Sequence, residues 1–370
     1  MNEDKATGYT RLRRRAGVAA TALSAVVLLL LVVTGGSASL RDVAVGVAHG
    51  SLFVTVILYV VMLALLSEVV QLPLAFYQGV TLERRYGLST EATTRWWLDR
   101  LKANGVGFVL AVISALIVCY LLQWSPRLWW AVAAVCFGVI IVVLAQLAPV
   151  LLLPLFYTVK PLQRRELADR LVALAQRAGA RVLGVFEWQL SDRTRKANAA
   201  LTGIGRTRRI LLSDTLLAEH SDDEIEVILA HELAHHVHHD IWRGIALEVA
   251  LLTLGLFVTD RVLDMSIGHF GLAGKADVAG LPILVLAGGA VSLLLLPLVN
   301  AVSRAHERRA DRYALDMTSN ADAFISAMKR LGAQNLAEER PSRIVELLFH
   351  SHPPIAARLE AARNWHPKRT

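Results

Sequence analysis

The chain has 370 residues, of which 55% are hydrophobic and 19% are charged, and its formal net charge is +8. Soluble globular proteins average about 45–50% apolar and about 25% charged residues, so an ordinary soluble protein is excluded. A disordered chain is excluded because it needs low hydrophobicity. A multi-pass membrane protein with an attached soluble domain fits these numbers. A basic chain can bind nucleic acid, but membrane proteins carry basic loops on their cytoplasmic side, so we expect no nucleic-acid partner.

Six apolar segments are predicted to cross the lipid bilayer, since a helix needs about 20 apolar residues to span the hydrocarbon core. The first follows a run of arginines and resembles a signal peptide, but it is longer than a signal peptide's apolar region, so we expect an uncleaved helix. The fifth is short and carries Glu248, so a buried hairpin arm or an amphipathic helix is the alternative there. The segments are Ala16–Thr34, Leu52–Phe76, Val106–Gln123, Leu128–Leu153, Gly244–Val258 and Leu281–Val302.

Basic residues are concentrated in alternate loops of this predicted topology. The segments after spans two, four and six are rich in arginine and lysine, and the other loops are poorer in charge. Positively charged loops tend to remain in the cytoplasm. The pattern therefore predicts a protein of the cytoplasmic membrane whose N- and C-termini, and the domain between spans four and five, lie on the cytoplasmic side.

Between spans four and five the sequence predicts a small domain of helices and strands. Residues 162–179 have apolar side chains at helical spacing. Ser221 and Glu224 have the spacing of a capping box, which opens a helix that contains several histidines. From Asn320 onward the chain is predicted to be helical with breaks at prolines, so the fold class is mainly α. Three short, partly alternating runs predict a small antiparallel sheet, at residues 181–190, 197–201 and 208–212.

The predicted histidine helix carries the sequence His-Glu-Leu-Ala-His at residues 231–235, an HExxH motif. Residues four apart share one face of a helix, so the imidazoles of His231 and His235 can reach one metal ion. Zinc accepts imidazole and, in catalytic sites, takes three protein ligands and a water. Glu232 is then placed to accept a proton from that water. The motif also occurs by chance on surface helices, but the apolar residues before it indicate a packed helix.

A third ligand is needed, and the carboxylates after span six are the best candidates. Glu307 and Asp311 lie four residues apart and share a helix face. One carboxylate can bind zinc while the other accepts a hydrogen bond from a ligand imidazole. An ordinary charged helix at the membrane surface is the alternative. His236, His238 and His239 are expected to point elsewhere.

Several motifs follow one another in the order of a known family. They are Leu72-Pro73, Pro154-Leu155-Phe156, Asn198-Ala199, Arg208-Arg209-Ile210, His231–His236, Ser303–Asp311, and Ser351–Pro354 with Arg358. In this order they resemble the integral-membrane zinc metalloproteases typified by the type I CAAX prenyl protease, to which the heat-shock membrane protease HtpX is more distantly related. The resemblance extends over roughly residues 52–360 and is specific because many motifs combine.

The resemblance implies a metal site and a catalytic base. One zinc ion per chain would be held by His231, His235 and Glu307. Glu232 would be the catalytic base, and Asp311 would support a ligand imidazole.

The resemblance also implies groups that contact the substrate. His352 would be a further catalytic group near the oxyanion, with a helix-entry residue before two prolines as the alternative, and Arg358 would be structural support. Asn198 and Ala199 would lie on an edge strand that pairs with the backbone of a peptide or membrane-protein substrate.

Two regions and one activity are therefore predicted. Residues 1–160 form an N-terminal membrane domain with four transmembrane helices. Residues 161–370 form a zincin-like metalloprotease domain with the HExxH helix and two further transmembrane helices, near 244–258 and 281–302. The expected activity is hydrolysis of peptide bonds in membrane-associated proteins or peptides, for which neither a particular substrate nor an oligomeric state is predicted. A non-hydrolytic zinc-binding scaffold or transporter is the alternative, which an intact Glu232 disfavours.

Overall fold

The computed structural model describes residues 3–151, 153–203 and 208–367, and these are mostly helical. A π-helical segment, Tyr77–Leu82, joins the third and fourth helices. The strands are β1 (Val159–Pro161), β2 (Val185–Trp188), β3 (Ala199–Thr202) and β4 (Arg209–Ser213). The helices are α1 (Glu3–Val33), α2 (Gly36–Ala48), α3 (Leu52–Phe76), α4 (Glu83–Arg85), α5 (Thr93–Trp124), α6 (Trp129–Leu151), α7 (Leu153–Phe156), α8 (Arg165–Arg177), α9 (Asp214–Glu219), α10 (Asp222–Val237), α11 (Asp240–Ser266), α12 (Leu281–Thr318), α13 (Ala321–Gln334), α14 (Arg343–Phe349) and α15 (Ile355–Arg363).

Six of these helices are long and apolar enough to cross a membrane, which confirms the six predicted spans. They are α1, α3, α5, α6, α11 and α12. Large apolar side chains on them are exposed, among them Leu294 at 79% and Val69 at 69%. Such exposure is unfavourable in water and ordinary against lipid. The chain is therefore a multi-pass membrane protein.

The fifth predicted span is part of a longer helix than its hydropathy indicates. Gly244–Val258 lies inside α11, which has 27 residues. The predicted segment is short because the first turns of α11 are polar, whereas the helix itself starts at Asp240. The 13-residue helix α2, which packs beside α3, was not predicted because it is too short to register as a span.

Helix α12 connects the membrane to the soluble domain without a break. It has 38 residues, or about 57 Å at 1.5 Å per residue, whereas the hydrocarbon core is about 30 Å thick. Its C-terminal turns therefore lie outside the hydrocarbon, and they carry Glu307 and Asp311. The site carboxylates are thus fixed to the same rigid element as the sixth span.

The small sheet has the order β1-β2-β4-β3 and is mixed. Strands β1 and β2 are antiparallel, as are β3 and β4, but β2 and β4 are parallel. The prediction of a wholly antiparallel sheet was therefore wrong in this one pairing. The chain passes from β2 to the edge of the sheet to form β3, and the return to β4 places β4 parallel to β2.

Helix α10 lies in the centre of the soluble domain's apolar core. Ile225, Leu229 and Leu233 are almost fully buried, together with Leu212 of the sheet and Phe324 of α13. This packing fixes the orientation of the HExxH face. Both hydrogen bonds of the predicted capping box are present at its N-terminus, from Glu224 N–H to Ser221 Oγ and from Ser221 N–H to the Glu224 carboxylate.

The Ser221→Ala variant tests this cap. It removes one hydrogen bond from the first turn of α10 and should lower the free energy of unfolding by about 1 kcal/mol. Thermal unfolding of the detergent-solubilised protein measures the change, with Ser221→Thr as the control because threonine also caps helices. Equal unfolding midpoints for Ser221→Ala and the wild type would contradict the prediction.

Candidate metal centre

Three side chains from two helices converge on one point. His231 and His235 come from α10 and Glu307 from α12, and one ligand atom of each lies within 4.8 Å of the others. His231 Nε2 is 3.2 Å from one Glu307 carboxylate oxygen, and His235 Nε2 is 3.4 Å from the other. Residues 76 positions apart in the chain are thus brought together where α10 crosses α12.

The other ring nitrogen of His231 faces a second carboxylate. His231 Nδ1 lies 2.9 Å from Asp311 Oδ1, and the Arg358 guanidinium donates hydrogen bonds to both oxygens of Asp311. Burial lowers the pKa of His231, but Asp311 and Glu307 raise it more, to about 9. The Asp311 contact fixes the ring so that Nε2 points to the centre, as ligand imidazoles require.

His235 is held in the same way by residues that the sequence analysis did not find. Its Nδ1 lies 3.1 Å from Asp240 Oδ2, and Arg309 donates a hydrogen bond to the other oxygen of Asp240. Each histidine of the motif therefore has its own pair of one carboxylate and one arginine. The sequence signal was weak: Asp240 follows the motif by five residues, and it folds back only because His239 adopts a left-handed conformation, with φ of 57°, between α10 and α11.

The donor set fits zinc. Two imidazole nitrogens and one carboxylate are a ligand combination of catalytic zinc sites, whereas calcium and magnesium take oxygen ligands almost alone. Both Nδ1 atoms are occupied by Asp311 and Asp240, so both Nε2 atoms are available to a metal. His231 and Glu307 are 7% and 6% exposed, so the site is shielded from bulk water.

The two predicted catalytic groups lie beside the three converging side chains. Burial raises the pKa of Glu232, while His231 and His235 lower it by their proximity. His352 Nε2 lies 3.4 Å from Glu307 Oε1, and the His352 side chain is 61% exposed. The structure therefore brings together all the predicted site residues of α10 and α12, with His352 and Arg358 from the C-terminal segment.

Asn198 and Ala199 lie at the start of the strand at one edge of the sheet. Ala199 pairs with Leu212 of β4, and Asn198 N–H donates to Ser213 Oγ. In the part of the chain that the structure describes, no strand pairs with the other side of β3. Helix α10 packs against β3, and Thr202 at the end of β3 lines the same cavity as His235 and His236 of the HExxH helix.

Two sequence families match this chain. Residues 161–366 match peptidase family M48, and residues 2–158 match a family described as CAAX prenyl protease N-terminal, five membrane helices. The chain is 30% identical over 314 residues to the uncharacterized metalloprotease YhfN of Bacillus subtilis, covering 84% of this chain and 74% of that protein. It is 28% identical over 299 residues to the CAAX prenyl protease 1 homolog of Arabidopsis thaliana, covering 80% and 70%.

A solved structure has the same fold. The crystal structure of S. mikatae Ste24p superposes with a TM-score of 0.85 at 22% sequence identity, over 97% of this chain and 88% of that chain. The arrangement of membrane helices and soluble domain is therefore shared.

Removing the Asp240 carboxylate tests its role beside His235. The Asp240→Ala variant should bind zinc about 10- to 100-fold more weakly, because His235 loses the contact that orients its ring. Competition with a zinc-chelating dye measures this in the purified protein. Asp264→Ala is the control, since Asp264 lies at the other end of α11. Wild-type affinity in a folded Asp240→Ala variant would overturn the assignment.

Proposed function

Because the chain belongs to peptidase family M48 and is a membrane-embedded zinc metalloprotease, we propose that Glu232 is the general base of peptide hydrolysis. Its partner is one zinc ion per chain, held by the two histidines of the motif and Glu307. One observation carries this proposal: one ligand atom from each of these three side chains lies within 4.8 Å of the other two. Glu232 follows His231 directly on the same helix.

Each residue of the site has a separate role in the proposed hydrolysis. A zinc ion held by His231, His235 and Glu307 would lower the pKa of a bound water towards about 7 and would polarise the substrate carbonyl. Glu232 takes the proton of the attacking water and delivers it to the leaving amine. Asp311, positioned by Arg358, and Asp240 keep the two imidazoles aligned.

His352 is the proposed hydrogen-bond donor to the carbonyl oxygen as negative charge develops there. Its ring is close to Glu307 yet solvent-accessible, so a substrate can reach it. Donors aimed at a developing oxyanion stabilise the transition state more than the ground state.

The free edge of β3 is the proposed binding site for the substrate backbone. An extended peptide beside Asn198 and Ala199 adds a strand to the sheet and pairs with unsatisfied backbone groups. Because β3 packs against α10, this strand passes the zinc ligands.

Membrane-associated proteins or peptides are the proposed substrates. A cavity of about 690 Å³ lies between α11 and α12 and is lined mostly by apolar side chains. Ser303 and His306, near Glu307 in sequence, also line it, so it extends from the spans towards the metal centre. An apolar segment or lipid anchor of a substrate fits such a groove. Several relatives carry the name CAAX prenyl protease 1, which agrees with this substrate class.

The transporter alternative has less support. The feature that would suit a transporter is the presence of acidic residues within the spans, such as Glu68 and Glu248. Arg100 donates two hydrogen bonds of 2.8 Å to the Glu68 carboxylate, which gives Glu68 a structural role.

The Glu232→Gln variant tests the general base. Glutamine keeps the size of the side chain but cannot take the proton, so hydrolysis should fall at least about 100-fold while bound zinc is unchanged. Cleavage of β-casein and zinc content are measured on the same detergent-purified sample. Glu219→Gln, an exposed site on α9, is the control. Wild-type cleavage by Glu232→Gln would contradict the mechanism.

The cytoplasmic position of the metal centre is also a proposal, supported by the loop charges. In a background in which Cys119 and Cys136 are replaced by serine, the Ala273→Cys variant should react with an impermeant maleimide on intact cells. Ala361→Cys, on α15, should react only after the cells are permeabilised. The opposite pattern would place the site outside the cell.

A further inference from the structure

A second, smaller cavity adjoins the metal centre on the side of the edge strand. Its volume is about 280 Å³, and His235 is part of its wall. The end of β3 contributes Thr202 and Gly203, and the ends of spans α6 and α11 contribute Gln146 and Trp242. The cavity thus touches the metal site, the free strand edge and the membrane boundary.

Basic side chains dominate the polar part of this lining. Arg208, His236 and His239 all face the cavity, and no aspartate or glutamate does among the residues that line it. The acidic residue next to it in sequence, Asp240, is already engaged by His235 Nδ1 and Arg309. Arg208 therefore gives the cavity a positive charge that no acidic side chain among its described lining residues compensates.

Arg208 differs from the other arginines around the metal centre. Arg358 and Arg309 pair with Asp311 and Asp240, and Arg304 donates to two backbone carbonyls. The Arg208 guanidinium makes no ion pair with any residue that the structure describes, and burial lowers its pKa with no acidic group acting in the opposite direction. A partly desolvated arginine without a partner is unfavourable unless an anion binds there.

A substrate strand paired with β3 leads directly to this cavity. Strand β3 ends at Thr202, and Gly203 follows it in a left-handed conformation, with φ of +91°. Residues of the substrate beside the end of β3 therefore lie next to this cavity, whose wall includes His235. Arginine binds carboxylates with two parallel hydrogen bonds, which gives both affinity and orientation.

We propose that this cavity is a specificity subsite, in which Arg208 with His236 and His239 binds a carboxylate of the substrate. The proposal rests on the proposed function. An acidic side chain and a free C-terminus are two sources of that carboxylate. An added strand antiparallel to β3 places a residue N-terminal to the cleaved bond at the cavity, whereas a parallel strand places the C-terminal side there.

A lipid phosphate is the competing occupant, because Ile241 and Trp242 are about half exposed at the start of a span, where lipid headgroups lie. The substrate is favoured because His235 and the end of the edge strand line the same cavity. A site for lipid alone would not need either of them.

The test uses full-length, zinc-loaded protein in detergent. Mass spectrometry first identifies the bond of β-casein that the wild type cleaves fastest. Quenched fluorescent peptides around that bond are then made in matched pairs. One set has Glu or Gln at each of the three positions N-terminal to the bond. The other has a free or amidated C-terminus at each of the three positions C-terminal to it.

The wild type should cleave one acidic member with a kcat/KM about two- to fivefold above its neutral partner, a ratio in the range of a partly exposed ion pair. This ratio should fall to about one in Arg208→Gln and be partly restored in Arg208→Lys. Arg243→Gln removes the same charge from the exposed surface near the start of α11 and should keep the wild-type ratio. In the Glu232→Gln background, fluorescence anisotropy should give the same order of peptide affinities, without any turnover.

Several results would overturn the subsite. They are a wild type without preference for an acidic member, a preference that persists in Arg208→Gln, and an equal loss in Arg243→Gln. The subsite is also wrong if Arg208→Gln changes only the response to phosphatidylglycerol over phosphatidylcholine nanodiscs, which would assign the cavity to lipid. If Glu232→Gln cleaves β-casein as the wild type does, the proposed function itself fails. Normal Glu232-dependent cleavage without charge preference refutes only the subsite.

Discussion

The structure depends on burying several carboxylates at the crossing of α10 and α12. Glu307, Asp311 and Asp240 are each only about 5–6% exposed. Transferring an ion out of water costs several kcal/mol, so such carboxylates persist only where opposite charges surround them. Arg358 neutralises Asp311 and Arg309 neutralises Asp240. Glu307 faces the imidazoles of His231 and His235, and Glu232 has no ion-pair partner among the described residues, so a divalent cation would balance both carboxylates. The proposed zinc thus completes the charge pattern as well as the chemistry.

This charge pattern also explains why distant parts of the chain must fold together. Arg358 comes from α15 and His352 from the turn before it, whereas Arg304 on α12 is held by backbone carbonyls at the end of α14. The C-terminal segment is therefore attached to the site helix at several points. Asp240 starts the fifth long helix, so the position of α11 is tied to His235. The metal centre is accordingly a junction between two membrane spans and the soluble domain.

Those parts of the site that depend on local spacing could be predicted from the sequence. His231 and His235 need only an α-helix to share a face, and the same holds for Glu307 and Asp311. Hydropathy predicted the six spans because a helix needs about 20 apolar residues to cross the hydrocarbon core. Asp240 and Arg309 escaped prediction because their meeting depends on a left-handed turn at His239, which carries no glycine signal. The parallel pairing of β2 and β4 could not be predicted in this way. Alternating apolar residues indicate a strand, but the path of the chain between strands decides their relative direction.

Charges are paired differently on the two sides of the metal centre. On the side of α12 every buried carboxylate has an arginine or an imidazole partner, whereas on the side of β3 the arginine has no partner in the part of the chain described. Charges with a purely structural role are paired within the protein, because burying an unpaired charge destabilises the folded state. Arg208 lies beside both the proposed zinc site and the free edge of β3. Its lack of a partner is therefore best explained by an acidic group that belongs to the substrate. The apolar groove between α11 and α12 extends along the spans as far as Ser303 and His306, which precede Glu307 in sequence, and adds a second, hydrophobic contact. A substrate that carries an apolar anchor and a carboxylate would engage both, and the low-dielectric boundary between them would strengthen the ionic one.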